Sequence, residues 1–141
     1  MKYTCEVELK VRYSETDQMG VVYHSNYIIW FNIARDELLE KFVIPVTEGE
    51  QRGFLFPVVE VHCYYKYPAR YGDTVVVKAT TEITSVPKIE IEYEVYHKKT
   101  KRLLCTGKTV NVLTTKDGKL LLKVPPEFLK RNEKLLFILY Y

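Results

Sequence analysis

The chain has 141 residues, of which 47% are hydrophobic and 28% are charged, and its formal net charge is +3. This length favours one compact domain, and the composition excludes an intrinsically disordered, collagen-like or fibrous protein. The positive charge is too small and too scattered to indicate nucleic-acid binding. We therefore expect residues 1–141 to form a single domain that binds no nucleic acid.

Cysteine usage and the longest apolar run bear on the environment of the protein. The three cysteines are odd in number and have no metal-like spacing, so we expect no disulfide framework, and a reducing cytoplasm fits best. The first residues do not resemble a signal peptide. The longest apolar run, Leu135–Tyr141, falls well short of the ~20 residues that a membrane-spanning helix needs. These observations predict a cytoplasmic protein without a membrane span.

The first predicted element is a half-buried β-strand over Cys5–Tyr13. Apolar and charged residues alternate there: Cys5, Val7, Leu9, Val11 and Tyr13 against Glu6, Glu8, Lys10 and Arg12. Alternation with period two places the apolar set on one face of a strand and the charged set on the face toward water. The residues of Ser14–Gly20 are mostly loop formers, so a loop is predicted to follow.

A long helix is predicted over Ser25–Val43. Ser25 or Asn26 can cap its N-terminus, and apolar residues then recur every three to four positions. That stripe consists of Tyr27, Trp30 or Phe31, Ala34, Leu38 and Phe42. Three isoleucines lie off the stripe, at positions 28, 29 and 33, so the helix should be surrounded by protein. A buried strand over Tyr27–Ile33 is the alternative, but the length before Pro45 favours the helix.

Strands dominate the rest of the chain. Apolar or alternating runs separated by short turns predict strands at Phe56–Tyr65, Thr74–Thr84, Ile89–Tyr96 and Arg102–Thr114. Asp117-Gly118 predicts a hairpin turn, and Pro126 fits the first turn of a short helix from Glu127 to about Leu135. Because no helices separate the strands, this order predicts an α+β fold with one long helix against an antiparallel sheet.

The stretch Tyr13–Tyr27 carries the candidate chemistry, because it runs from a strand through a loop to a helix N-terminus. A helix N-terminus presents backbone N–H groups and a positive dipole end, and Gly20 permits a positive φ or a close backbone approach. The Asp17 carboxylate can reach the same space, where it would attack a carbonyl carbon or activate water. His24 is a second titratable group there. An Asx turn at Asp17 and a plain surface position for His24 are the alternatives.

A family resemblance is carried by the motif Thr16-Asp17-x-x-Gly20-x-Val22-Tyr23-His24-x-x-Tyr27. It resembles the signature of the 4-hydroxybenzoyl-CoA thioesterase family, which consists of acyl-CoA thioesterases with a hotdog fold. The Val-Tyr-His run is most similar to the branch found with the Tol-Pal cell-envelope genes of bacteria. A second stretch, Pro68–Asp73, also resembles the family, and the resemblance covers about residues 4–129. The hotdog fold, an antiparallel sheet wrapped around one long central helix, agrees with the predicted elements.

The resemblance implies roles for the motif residues. Asp17 stands at the family's catalytic carboxylate, as nucleophile or general base, and Gly20 stands at its loop glycine. The backbone N–H of His24 stands where the family polarises the thioester carbonyl, and its imidazole is implied to assist water or to hold that carbonyl. Tyr23 and Tyr27 are implied to line or support the acyl pocket, although a place in the core explains them equally well.

The resemblance also implies an anionic substrate. Coenzyme A carries a diphosphate and a 3′-phosphate, so basic side chains near the pocket mouth should help to bind it. We expect Lys88 to have this role, because its turn falls near where related enzymes present basic residues to the nucleotide. The turn at Lys98–Arg102 is a second candidate. For both turns a solvated, charged hairpin is the favoured alternative.

The prediction is an acyl-CoA thioesterase that hydrolyses a thioester to a carboxylic acid and free coenzyme A, without a metal or cofactor. The family implies a homo-oligomer, a dimer or a tetramer, with active sites between subunits. One alternative is a hotdog hydratase or dehydratase, which would need a His–acid pair across the acyl chain. The other is a non-catalytic module that binds an acyl ligand or a protein. Asp17 and His24 on one loop favour hydrolysis.

Overall fold

Seven strands, three α-helices and two short 3₁₀ turns follow one another in the computed structural model, which describes residues 1–141. The strands are β1 (Lys2–Lys10), β2 (Phe54–Leu55), β3 (Val58–Tyr65), β4 (Thr74–Glu82), β5 (Lys88–His97), β6 (Leu103–Val112) and β7 (Thr114–Thr115). The helices are α1 (Ser25–Phe42), α2 (Val46–Gln51) and α3 (Glu133–Tyr140), and the 3₁₀ turns are Tyr13–Glu15 and Pro126–Leu129.

Five of the strands form one antiparallel sheet in the order β1-β4-β5-β6-β3. The β4-β5-β6 segment consists of neighbours in sequence, joined by short turns, whereas β1 and β3 form the two edges. The short strands β2 and β7 pair with each other outside this sheet. The antiparallel sheet expected from the strand-rich second half of the chain is therefore confirmed.

Helix α1 packs against one face of the sheet and supplies much of the core. Of the apolar stripe predicted from the sequence, Tyr27, Trp30, Phe31, Ala34 and Leu38 are buried and Phe42 is half-buried. Leu39, outside the predicted stripe, is buried as well. The Phe31 ring lies directly over Gly107 of β6 and stacks on Tyr93 of β5, with 4.4 Å between the two ring centroids. A side chain at position 107 would occupy the place of the Phe31 ring, so this glycine lets the helix sit close to the sheet.

Two local predictions near the start of the chain are wrong. Strand β1 ends at Lys10, and Tyr13 is 76% exposed instead of facing the core. The chain turns away there because the Glu15 carboxylate accepts a hydrogen bond from the backbone of Arg12, which closes a 3₁₀ turn. Neither Ser25 nor Asn26 caps helix α1, since its N-cap is His24 and the Asn26 amide donates to backbone oxygens instead.

The surroundings of helix α1 also differ from the prediction. Ile29 and Ile33 are 49% and 39% exposed in the single chain, so protein does not surround the helix on that side. The two residues lie four positions apart and therefore share one face of the helix. That face is an apolar surface that the chain itself leaves open.

The C-terminal part contains two elements instead of the single helix expected over Glu127–Leu135. The 3₁₀ turn ends at Leu129, and α3 begins at Glu133 because the Asn132 side chain accepts a hydrogen bond from the backbone of Leu135. The apolar tail is thus largely helical, with Leu135 buried in the core. No helix of the protein has both the length and the apolar character needed to cross a membrane.

Candidate active site

Asp17 lies at the first position of a tight turn in the loop before helix α1. Its backbone N–H donates to the oxygen of Val21 at 2.9 Å, and its own backbone oxygen accepts from Gly20 at 3.0 Å. Carboxylate atom Oδ1 accepts a hydrogen bond from the backbone of Met19 at 2.8 Å, so the Asx turn considered as an alternative is present. Atom Oδ2 accepts no hydrogen bond from the chain, which leaves half of the carboxylate free for another partner.

Gly20 closes this turn with a φ of +78°. Residues with a Cβ rarely adopt that conformation, so the turn requires glycine here for its backbone geometry. A Cβ at this position would meet nothing closer than the Arg70 guanidinium at 3.9 Å. The structure therefore gives Gly20 a conformational role in shaping the Asp17 turn.

His24 stands at the N-terminus of the 18-residue helix α1. Its backbone N–H has no acceptor among the backbone or side-chain atoms of the chain, and the first turn of the helix contains no acidic residue. The positive end of the helix dipole is therefore not neutralised by the protein, which favours a negatively charged or polarised oxygen in front of it. The imidazole of His24 is exposed and lies 4.3 Å from the Tyr23 ring, measured between ring centroids.

The two stretches that carry the sequence resemblance are in contact. The backbone of Val22 donates to the oxygen of Ala69 at 2.9 Å, and Val21 forms an antiparallel bridge with Arg70. Tyr27 joins them, because its hydroxyl accepts a hydrogen bond from the backbone of Ala69 at 3.0 Å. These contacts fix the Asp17 loop between the helix and the turn that precedes β4.

An open groove of about 270 Å³ lies between these elements. Its walls bring together Asp17, Met19, Val21, Val22, His24 and Tyr27 with Tyr65, Lys66, Tyr67 and Pro68. Tyr27 is almost fully buried and forms part of the core as well as of the groove, and burial raises the pKa of its hydroxyl. Three predicted site residues, Asp17, His24 and Tyr27, therefore share one groove.

Tyr65 is a groove residue that the sequence analysis missed. Its hydroxyl donates to the backbone oxygen of His24 at 2.8 Å, and its ring packs edge-on against Tyr27 at 5.3 Å. Partial burial and, second, the neighbouring Cys63 thiol raise the pKa of this hydroxyl above its usual range. The sequence placed Tyr65 at the end of a predicted strand. Which loop the Tyr65 side chain contacts is seen only from the position of β3 in the sheet.

Two predicted substrate-binding residues lie outside the groove walls. The Tyr23 ring is half exposed and packs on His24, while its backbone N–H donates to the oxygen of Glu15. Lys88 begins strand β5 and pairs in register with Val112, whereas Tyr65 pairs with Cys105, so Lys88 and the groove lie toward opposite ends of the sheet. Lys88 also lies 3.4 Å from the Glu90 carboxylate.

Basic residues other than Lys88 lie at the groove. Lys66 is part of its wall, and the guanidinium of Arg102 stacks on the ring of Tyr67 at 3.8 Å. Arg102 belongs to the basic turn after β5, so that turn reaches the groove from one side. No group of three or more His, Cys, Asp or Glu side chains is placed to bind a metal ion.

A family profile described as the Thioesterase-like superfamily matches residues 11–131 of the sequence. This match extends over most of the chain, from the end of β1 to the segment between the C-terminal 3₁₀ turn and α3. The chain belongs to the Thioesterase-like superfamily. The predicted hotdog fold is thereby confirmed, because the long helix α1 lies against an antiparallel sheet, as in the solved structures that resemble it.

Individual proteins are also similar to this chain in sequence or structure. A putative acyl-CoA thioesterase, YneP, of Bacillus subtilis is 40% identical over 90 residues, and this match spans 64% of our chain and 65% of YneP. The crystal structure of hypothetical protein TT1821 from Thermus thermophilus has a TM-score of 0.81 and 32% identity, with 99% of each chain covered. A DHNA-CoA thioesterase from Staphylococcus aureus has a TM-score of 0.81 and 28% identity, covering 96% of our chain and 89% of its own.

Within this superfamily fold, the groove offers two complementary groups. A carboxylate with one free oxygen stands on the loop, and an unpartnered backbone N–H stands at the start of α1. The first is suited to attack an electron-poor carbon or to take a proton from water, and the second to stabilise a negative oxygen. Both kinds of group accelerate acyl transfer to water.

Proposed function

We propose that the protein hydrolyses acyl-CoA thioesters to a carboxylic acid and free coenzyme A. One observation carries this proposal: the free oxygen of Asp17 and the unpartnered N–H of His24 share a groove in a chain of the Thioesterase-like superfamily. The names of the Bacillus and Staphylococcus relatives support the same substrate class. The hydratase and the non-catalytic module find no such support.

In the proposed reaction, the thioester carbonyl oxygen accepts a hydrogen bond from the backbone N–H of His24. The helix dipole and this N–H stabilise the negative charge that develops on the oxygen. Asp17 then either attacks the carbonyl carbon or takes a proton from an attacking water molecule. In either route the carbon–sulfur bond breaks and the coenzyme A thiolate leaves. If Asp17 is the nucleophile, water then hydrolyses the mixed anhydride between the acyl group and Asp17, which releases the carboxylic acid and restores the carboxylate. The exposed imidazole of His24 is placed to assist the water or the leaving group.

The remaining groove residues would support binding. Tyr27 and Tyr65 supply an apolar, aromatic wall for the acyl group, and Gly20 keeps the Asp17 turn in shape. Tyr23 would then act mainly by holding His24 in place. Lys66 and Arg102 are the basic residues that we propose for the coenzyme A phosphates, because they adjoin the groove. A role for Lys88 would require it to come from a neighbouring subunit.

We further propose that two copies of the chain associate through the edge strand β3. The outer edge of β3 has no partner strand, and several of its apolar side chains are exposed, among them Val59, Val61 and Tyr65. Ile29 and Ile33 on α1 form a further exposed apolar surface. An unpaired edge strand with exposed apolar side chains favours pairing with a second copy. Because Tyr65 ends this strand, the second copy would also cover part of the groove.

Three finer points are proposals of the same kind. Residues 1–141 form one domain, since a single apolar cluster includes residues from Tyr3 of β1 to Leu135 of α3. The reaction takes place in the cytoplasm and needs no cofactor. Finally, the Val22-Tyr23-His24 run supports the Tol-Pal-associated branch of the 4-hydroxybenzoyl-CoA thioesterase family, whereas the Staphylococcus relative points to an aromatic naphthoyl group.

The proposal is tested by measuring thiol release from a panel of acyl-CoAs. The panel contains short and long aliphatic, benzoyl-type and 1,4-dihydroxy-2-naphthoyl thioesters, and wild type is compared with Asp17→Asn. The substitution keeps an oxygen for the Met19 N–H and removes the charge, so we expect the variant to fold normally. If Asp17 is the catalytic carboxylate, kcat should fall by on the order of 10²-fold or more.

A matched control is Asp117→Asn, which changes an exposed aspartate in the distant Asp117-Gly118 turn. This variant should retain wild-type activity. The proposal is wrong if wild type cleaves no member of the panel, and the role of Asp17 is wrong if both variants are equally active. The preferred substrate decides between the aliphatic, benzoyl-type and naphthoyl alternatives.

A further inference from the structure

Glu15 is a buried carboxylate that does not line the groove. Only 5% of its surface is exposed, although it lies two residues before Asp17. Burying a charged group is costly unless hydrogen bonds replace the lost water. A buried glutamate at this position is therefore expected to form hydrogen bonds through both carboxylate oxygens, and the structure shows them.

The two oxygens of Glu15 bind to two different elements. Atom Oε1 accepts a hydrogen bond from the backbone N–H of Arg12 at 2.8 Å, just before the loop. Atom Oε2 accepts one from the indole Nε1 of Trp30 at 2.9 Å, in the second turn of helix α1. The Arg12 side chain adds a positive charge, with its Nε 3.5 Å from Oε1. One carboxylate thus joins the beginning of the loop to the body of the helix.

The backbone of Glu15 holds the other end of the same loop. Its carbonyl oxygen accepts from the backbone of Tyr23 at 2.8 Å and from the Asn26 amide at 3.0 Å. Next to it, Thr16 and Val22 form an antiparallel bridge. The seven residues Thr16–Val22 are therefore closed at their base by Glu15, and Asp17 is the second residue of that closed segment.

From these contacts we propose that Glu15 is a positioning residue, which fixes the Asp17 turn on helix α1 so that the Asp17 carboxylate and the His24 N–H face one groove. This inference rests on the proposed thioester hydrolysis and extends it to a residue that never touches the substrate. Trp30 is its partner, because the indole N–H is the only contact by which the carboxylate reaches the helix.

The ionised form of Glu15 is the one that the site requires. Burial alone raises the pKa of this carboxyl, but hydrogen bonds from Arg12 and Trp30 and the Arg12 charge outweigh that effect and lower it. Two N–H donors each need an acceptor oxygen, and a carboxylate supplies two. Glutamine has nearly the same shape but supplies only one oxygen, so its NH₂ group would face one of the donors.

The test combines Glu15→Gln with Asp17→Asn in a double-mutant cycle. We expect Glu15→Gln to lower kcat by on the order of 10-fold to 10²-fold and to change KM by less than about threefold. The two effects differ because displacement of the catalytic group leaves substrate binding largely intact. In the Asp17→Asn background, the same substitution should change kcat by less than about twofold, since it acts through Asp17. Glu6→Gln, on the exposed face of β1, is the matched control.

Amide hydrogen exchange supplies a measurement that is independent of activity. In Glu15→Gln, the amides of Asp17 and Gly20, both hydrogen-bonded within the turn, should exchange on the order of tenfold faster, while amides of β5 should not change. If Glu15→Gln does not fold, Trp30→Phe serves instead, because it removes the indole donor while keeping an aromatic ring in the core, and it should act in the same direction.

Two results would overturn the inference. One is that the Asp17 and Gly20 amides exchange at the same rate in Glu15→Gln as in wild type. The other is that the kcat losses of Glu15→Gln and Asp17→Asn multiply in the double variant, because the two residues would then act independently. If wild type hydrolyses no thioester, the proposed function fails, but the exchange measurement still decides whether Glu15 fixes the turn. The two failures are therefore distinguishable.

Discussion

Glu15 should make the free energy of unfolding depend on pH. Burial acts to raise the pKa of the Glu15 carboxyl in the folded protein, but hydrogen bonds from Arg12 and Trp30 outweigh burial and lower it. A carboxyl with a lowered folded pKa stabilises the fold fully above its unfolded pKa of about 4.3, and this stabilisation is lost as the pH falls through the folded value. Between about pH 6 and about pH 3, the urea midpoint of wild type should thus fall more than that of Glu15→Gln. Parallel curves for the two proteins would contradict this expectation.

Single residues also show how far the sequence predicts a site. The loop before α1 contains Asp17, Gly20 and His24 within eight positions. Their closeness in the sequence is therefore sufficient to predict that they lie close together in space. Tyr65 was missed because its hydrogen bond to His24 joins positions 41 residues apart, and no local pattern in the sequence predicts such a contact. Lys88 was placed near the substrate by the family resemblance alone, and nothing in its turn specifies toward which end of the sheet it lies.

Helix α3 depends on its N-cap. The Asn132 side chain accepts from the backbone of Leu135 at 3.1 Å, and its amide donates to the oxygen of Phe42 at 3.3 Å, so it also joins α3 to the end of α1. Asn132→Ala removes both contacts and should lower the free energy of unfolding by about 0.5–2 kcal/mol, as measured by urea unfolding. Asn132→Asp keeps the cap and should lose less. Equal losses for the two variants would show that the cap has no part in stability.

Elements with a strong pattern were predictable, whereas their ends were not. The alternation in β1 and the stripe of α1 each follow from side-chain burial, and the structure confirms both. The break between the C-terminal 3₁₀ turn and α3 was missed, although the five residues between Leu129 and Leu135 are all polar and include Asn132, a residue type that favours helix N-caps. The hydrogen bond from the Asn132 amide to the end of α1 joins distant parts of the chain and leaves no periodic signal in the sequence.

At the level of the whole molecule, we expect a dimer in solution. Val61→Lys places a charge on the exposed edge of β3, where pairing with a second copy would bury it, so this variant should be monomeric by size-exclusion chromatography with light scattering. Its activity should fall as well, because Tyr65 of the same strand lines the groove. Val86→Lys, in the exposed turn before β5, is the control and should remain dimeric. A monomeric wild type would contradict the proposed association.

The α+β class was predictable because consecutive strands that are joined by short turns, without helices between them, form antiparallel sheets. The order of strands in the sheet was not, since no local pattern states that β1 pairs with β4 or that β3 ends at the edge beside β6. The exposed Ile29 and Ile33 illustrate the same limit. Their apolar character was visible in the sequence, but whether the chain or a second copy covers them depends on the assembled molecule.

The pairing of β1 with β4 also has a consequence for how the protein is made. Lys10 pairs with Thr74 and Lys2 with Glu82, so β1 leaves the ribosome before β4 and must wait for a partner that is synthesised 64 to 80 residues later. Pairings of such long range form slowly, and an unpaired apolar strand is prone to join other chains meanwhile. The charged residues Glu6, Glu8 and Lys10 on its outer face oppose such contacts. The alternation that shapes β1 in the folded sheet therefore also protects the nascent chain.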